Sequence, residues 1–123
     1  MKPETERWVN RAEEDLETAA VALDRNYLST CMFHNHEAVE KVLKAIWIET
    51  RGELAEKTHN LPYLARELEL ELSEAQREFL GKLSEQYLPT RYGDEWIEMP
   101  RETAENYYRT SRDIYSWLLQ QLS

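Results

Sequence analysis

The stretch LSTCMFHNHEAVEKVLKAIWIETR, Leu28 to Arg51, followed by Gly52, constrains the fold more than any other part of the chain. With Met32 set at 0° and about 100° per residue, Leu28, Val39, Val42, Leu43, Ile46 and Trp47 fall roughly between 280° and 60°. Cys31, Ala38 and Ala45 extend this apolar sector back to about 220°. An arc so wide predicts a central helix that touches several neighbours. Gly52 is a natural C-terminal stop for it. Glu37, Glu40, Lys41 and Lys44 fall on the opposite side, where i,i+3 and i,i+4 pairing predicts a solvated, ion-paired face. That acidic face has a second possible use, docking a basic partner.

The rest of the chain reads as helices that would cover such a centre. Trp8, Ala12, Leu16, Ala19 and Leu23 form one stripe of a first helix, from Pro3 or Glu4 to about Asp24. Its Glu13, Glu14, Asp15 and Glu17 read as a solvated charge run. After a polar loop, Glu53 to Asn60, a short third helix carries Leu61, Leu64 and Leu68, with Asn60 as its cap. Ser73-Glu74-Ala75-Gln76 fits a capping box opening a fourth helix, whose buried face is Phe79, Leu80, Leu83 and Tyr87. Pro100 sits where a first helical turn tolerates it, and a fifth helix carries Ala104, Tyr107, Ser111, Tyr115, Leu118 and Leu122. The expected fold is all-α, an up-and-down bundle of four to five helices in one domain, residues 1–123.

Composition narrows the partners. The 24 acidic residues outnumber the 15 basic ones, a net charge of −9. Nucleic-acid binding therefore requires a local cluster of cations. The single cysteine, Cys31, excludes an internal disulfide framework and a cysteine zinc site, and reads as a buried helix residue. No apolar run approaches a membrane span, so the expected location is the cytoplasm, with no membrane partner. Neither a Gly-x-Ser-x-Gly elbow nor a Gly-rich phosphate loop occurs.

Three polar residues break the apolar arc of the second helix: Asn35 and His36 inside it, His34 at its edge. Buried without partners they would each cost roughly 1–3 kcal/mol, so they predict an internal hydrogen-bond network or one lying across a dimer interface. A ligand site is the lesser alternative. His36 and Glu40 share an i,i+4 face, and Glu56-Lys57-Thr58-His59 matches the Glu-x-x-His of di-iron bundles. That chemistry needs two such motifs and two more carboxylates, whereas one copy occurs here, in a loop. No metal and no cofactor are expected.

The ordered set RWVNRAEEDLETAAVAL, CMFHNHEAVEKVLKAI, KTHNLPYL and YLPTRYGD resembles the minimal HEPN domain (higher eukaryotes and prokaryotes nucleotide-binding) over essentially the whole chain. The resemblance implies a four- to five-helix bundle, commonly a homodimer formed through its long helices. It also implies a prokaryotic setting beside a small nucleotidyltransferase, often as a toxin–antitoxin-like pair. Several branches of the superfamily are ribonucleases whose signature is an Arg, four to six residues, then a His, near the start of the last helix. Here Arg25 precedes His34 and His36 by 8 and 10 intervening residues, and Arg51 precedes His59 by 7. No histidine follows His59, so the last helix supplies none. The sequence departs also at His36, where the family more often has Gln, and at Gly93, where Pro is usual.

The stretch LPTRYGDEW, Leu88 to Trp96, keeps two readings. In one, Pro89 stops the fourth helix, Tyr92 and Trp96 pack on the bundle, and Arg91 pairs with Asp94 or Glu95. In the other, Arg91 presents its guanidinium to a phosphate and Tyr92 stacks on a base, with Lys57 and His59 adding a cation and a donor from the other long loop. Three functions follow. The first is a non-catalytic nucleotide- or RNA-binding partner of a nucleotidyltransferase. The second is a ribonuclease using Arg91, Tyr92 and His59 in a non-standard site. The third is a purely structural interaction module.

Overall fold

The structure, a computed structural model, describes residues 1–92 and 99–122, and for residues 88–92 the backbone alone. Five helices make up the described bundle: α1 (Pro3–Asp24), α2 (Leu28–Arg51), α3 (Leu61–Glu67), α4 (Glu74–Tyr92) and α5 (Arg101–Gln120). The expected all-α bundle is the fold observed.

The helix ends follow the expected local chemistry. Gly52 closes α2 in the left-handed conformation, φ 71°, with its N–H donating to the Ile48 carbonyl at 2.9 Å. Asn60 caps α3 by accepting from the Tyr63 N–H at 3.0 Å. Ser73 and Gln76 form the reciprocal capping box: the Ser73 N–H donates to Gln76 Oε1 at 2.9 Å and the Gln76 N–H to Ser73 Oγ at 3.1 Å. Pro89 does not stop α4, which continues to Tyr92. A proline's fixed φ is close to helical, so within a last turn it forfeits one hydrogen bond without forcing the chain out of the helix. The expected pairing and packing of Arg91, Tyr92, Asp94 and Trp96 lie outside the described residues, as does Gly93.

α2 packs against all four other helices. Residues Val42 to Ile48 are buried around the whole circumference of the helix, as its wide apolar arc requires. α1 runs antiparallel to it: the Lys2 ammonium donates to the Ile48 and Glu49 carbonyls at 3.2 and 3.1 Å, a cation on the free carbonyls of a helix C-terminus. α5 starts beside the end of α1, where Arg101 donates to the Leu23 carbonyl at 2.8 Å.

The buried line of α1 is Thr5, Ala12, Asp15, Ala19 and Ala22, rotated from the expected stripe. Trp8, Leu16 and Leu23 flank it, half-buried. Three alanines on that line face a helix that itself buries Ala38 and Ala45, and small side chains permit close approach of the two backbones. The rotation carries Asp15 inside, contrary to the expected solvated run. Ala104, Ser111, Tyr115 and Leu118 of α5 are buried as expected, with Ile114 added, and Tyr107 and Leu122 pack at the edge.

Two glycines predict opposite effects on stability. A Cβ at Gly81, inside α4, would meet nothing within 4 Å, so Gly81→Ala is expected to stabilise by up to about 1 kcal/mol. Gly52→Ala forces a left-handed residue and is expected to cost about 1–2 kcal/mol. Denaturant midpoints of the two variants check both signs.

Candidate functional site: a buried carboxylate between two histidines

α2 places His36 and Glu40 one turn apart, and tertiary packing encloses both, leaving His36 1% and Glu40 4% exposed. Glu40 is thus not on a solvated face. It lies eight residues beyond Met32, at about 80° on the helical wheel, just past the apolar arc. The loop before α3 reaches that edge through His59, and Tyr87 of α4 lies against the neighbouring rings. Glu40 Oε2 accepts from the Lys44 ammonium at 3.1 Å, and Lys44 is itself largely buried. Glu40 Oε1 accepts from His59 Nδ1 at 2.8 Å, so the imidazole from the loop before α3 is oriented by a desolvated carboxylate.

The His59 backbone is pinned as well. Its carbonyl accepts from His36 Nε2 at 3.1 Å and from Ser84 Oγ of α4 at 3.3 Å. The hydroxyl of Ser84 also accepts from the Leu61 N–H, which joins the start of α3 to α4. The rings of His36 and His59 lie against Tyr87, with centroids 4.2 and 4.6 Å away. The His59 side chain is 53% exposed, so this end of the cluster reaches solvent. Sequence left open whether the two long loops meet. The 53–60 loop comes against Tyr87, five residues before the end of α4 at Tyr92.

Burial lowers the His36 pKa to about 4, opposed by the Glu40 charge and the His59 carbonyl. The ring is therefore neutral, with its hydrogen on Nε2 facing that carbonyl. Burial and the neighbouring Glu40 charge raise the pKa of Glu37, partly offset by Lys41. Ligand atoms of His36, Glu37 and Glu40 lie within 4.8 Å of one another.

The three polar residues of the α2 arc do not form one network. His34 turns to α1, its Nδ1 2.8 Å from Asp15 Oδ1, and Lys41 donates to the other oxygen of Asp15. That explains the buried aspartate: it bridges two α2 side chains. Asn35 is fully buried and, among the described residues, donates only to the sulfurs of Cys31 and Met32, at 3.7 and 4.0 Å. Its Oδ1 has no partner among the described residues. Burial pushes the Cys31 thiol up to about 11, which leaves it a packing residue and not a nucleophile.

Among the proposed contact residues, Lys57 is exposed on the loop that carries His59. Arg91 and Tyr92 lie in the last turn of α4, with their side chains outside the described residues. Sequence reasoning noted the shared His36–Glu40 face but otherwise read Glu40 as solvated, and it missed Lys44, Ser84 and Tyr87 as members of the cluster. It missed also a cleft of about 230 Å³ between α1 and α2, where Arg7, Arg11 and Lys41 gather around Trp8 with Glu4 at the rim.

The His36 shift sets a pH dependence. Its folded pKa of about 4 lies below the unfolded value, so the unfolded chain takes up the proton first as pH falls. This contribution is complete above about pH 6.5 and is lost between about 6.5 and 4, to the extent of roughly 3 kcal/mol. Comparing urea unfolding of wild type and His36→Gln across that window isolates it, and the difference is expected to narrow toward acid.

Comparison with known proteins agrees with this architecture. A family model described as HEPN domain matches residues 5–122. A Thermus thermophilus protein known from its crystal structure, TT1696, superposes with a TM-score of 0.85 at 24% identity, covering 98% of this chain and all of that one. ST0689, described as an archaeal HEPN homologue, superposes with a TM-score of 0.77 at 24% identity over the full length of both. These two likenesses concern the fold. A Methanocaldococcus jannaschii protein named "Putative toxin MJ1304" is 44% identical over 41 residues, 33% of this chain and 27% of that protein. The alignment thus spans about a quarter of that relative's length. Among the described residues, no helix is long and apolar enough to cross a membrane. With its family model matched from Thr5 to Leu122 and its helices superposing on those of a HEPN homologue, the chain belongs to the HEPN domain family.

Proposed function

We propose that this HEPN domain binds nucleotide or RNA without cleaving it, as the partner of a small nucleotidyltransferase in a toxin–antitoxin-like pair, and that it works as a homodimer. The observation that carries the reading is the anchored, half-exposed His59. Glu40 holds its Nδ1, Tyr87 lies against its ring, and Lys57 is exposed two residues away. In a chain of net charge −9, phosphate is attracted only where cations are concentrated and held in place. Arg91 follows Tyr87 by one turn of α4 and is the permanently charged group of the proposed surface. The toxin name of the partial relative supports the setting.

Calorimetric titration with ATP, GTP and a short single-stranded RNA tests this. Binding should weaken with salt, and Arg91→Ala and His59→Ala should each weaken it about tenfold, roughly 1.4 kcal/mol. If the Arg7→Glu, Arg11→Glu double variant abolishes binding while those two variants leave it intact, the α1–α2 cleft is the surface instead. Co-expression with a neighbouring nucleotidyltransferase, and light scattering for the dimer, test the partners. Failure to co-purify across a range of salt would count against the pair.

One observation favours a second reading, the ribonuclease. A histidine held at Nδ1 by a buried carboxylate is the arrangement that orients a general base and stabilises its protonated form. This reading expects RNA turnover that disappears in His59→Ala and falls at least a hundredfold in Glu40→Gln. Cleavage that survives both changes would come from a contaminant.

A further inference from the structure

The same cluster contains a binding capacity that hydrogen bonding within the protein does not exhaust. His36 donates its Nε2–H to the His59 carbonyl at 3.1 Å, so the lone pair is on Nδ1. That atom is buried and has no hydrogen-bond partner among the described residues. It lies 3.8 Å from Glu40 Oε1. Glu40 Oε1 already accepts from His59 Nδ1, so the lone pair of His36 Nδ1 is the acceptor left over, open to a proton donor or a cation.

The second imidazole closes the geometry. His59 Nδ1 is 2.8 Å from the same Glu40 Oε1, so two ring nitrogens flank one carboxylate oxygen at 3.8 and 2.8 Å. In a tetrahedral zinc site with bonds of about 2.0–2.2 Å, neighbouring ligand atoms stand roughly 3.3–3.6 Å apart. These two separations bracket that edge; His59 stands outside the set of His36, Glu37 and Glu40 whose ligand atoms lie within 4.8 Å of one another, so its half-exposed ring would have to turn inward to complete the shell. Glu37 brings a carboxylate into the same group, within 4.8 Å of the His36 and Glu40 ligand atoms.

We propose that His36 Nδ1, Glu40 Oε1, His59 Nδ1 and a Glu37 oxygen form a binding site for a divalent transition-metal ion of zinc type. Two imidazoles and two carboxylates suit zinc, whereas magnesium and calcium favour all-oxygen shells. The outer contacts of a metal site are also present. His36 gives its other N–H to a backbone carbonyl, a usual arrangement for a ligating histidine, and Lys44 holds the second oxygen of Glu40 at 3.1 Å. Two glutamates balance the charge of the ion, and Lys44 and Lys41 beside them moderate the affinity. His59, half-exposed, opens the site to solvent. On binding, its Nδ1 must present a lone pair to the ion, so the hydrogen leaves that nitrogen.

This donor set differs from the Glu-x-x-His pattern in the sequence. The Glu56 carboxylate accepts from the Tyr63 hydroxyl at 2.7 Å, and His59 turns to Glu40 instead. The proposal does not rest on nucleotide binding.

The test is titration of the full chain, stripped with chelator, by Zn²⁺ in a calorimeter and by Co²⁺ in an absorption spectrometer. One ion per chain is expected, with the visible bands of four- or five-coordinate cobalt and a raised melting temperature. Mg²⁺ and Ca²⁺ should not compete. His36→Gln and His59→Ala should each weaken zinc at least tenfold, while His34→Ala, on the other network, should not. His59 is half-exposed, so its variant decides the matter even where the buried His36 variant unfolds. Absence of zinc binding at millimolar concentration would overturn the proposal. So would affinity unchanged by His59→Ala, which would assign the ion to surface carboxylates.

Discussion

Burial of α2 on all sides is the constraint from which the rest of this structure follows. A helix that touches four others has no water-facing stripe along much of its length, so most of the polar groups buried along it take partners within the protein, with Asn35 Oδ1 and His36 Nδ1 left over among the described residues. The chain meets this demand by bringing polar groups of neighbouring elements inward. α1 contributes Asp15, the loop before α3 contributes His59, and α4 contributes Ser84 and Tyr87. Stability and site architecture therefore share one origin, the desolvation of the polar side chains of the central helix.

The two resulting networks differ in chemical character. Around Asp15, one carboxylate meets one imidazole and one ammonium, and its two oxygens have separate partners. Such a group is closed, and it locks α1 to α2. Around Glu40 the carboxylate also has its oxygens divided, between Lys44 and His59, but a third nitrogen, His36 Nδ1 with its lone pair, is left beside it without a hydrogen bond among the described residues. That network is open, with one end in solvent through His59. A carboxylate that orients an imidazole is suited to either of two occupants, a proton in transit or a metal ion.

Placement of His59 shows how a loop residue acquires a defined position. Its side chain is held by Glu40 and its carbonyl by His36 and Ser84, and Asn60 next to it caps α3. Three helices, α2, α3 and α4, thus fix a residue on a surface loop, and such rigidity is required for a group that binds or reacts with a ligand.

Legible in the sequence alone were the helices and their ends. Gly52, Asn60, Ser73 and Gln76 act on backbone groups a few residues away, so their consequences are local and can be read without a fold. The width of the α2 apolar arc likewise announced a central helix. Pro89 was the local exception, because a proline near a helix end weakens the helix without always terminating it. Which polar residues would be enclosed was settled by packing between elements. Asp15, Glu40 and Lys44 all read as solvated by their position on a helical wheel, and all three are buried. A wheel gives the direction of a side chain but not what covers it. Likewise the meeting of His59 with Glu40, 19 residues apart, depends on how the 53–60 loop crosses α2 and α4, and no spacing in the sequence encodes that crossing.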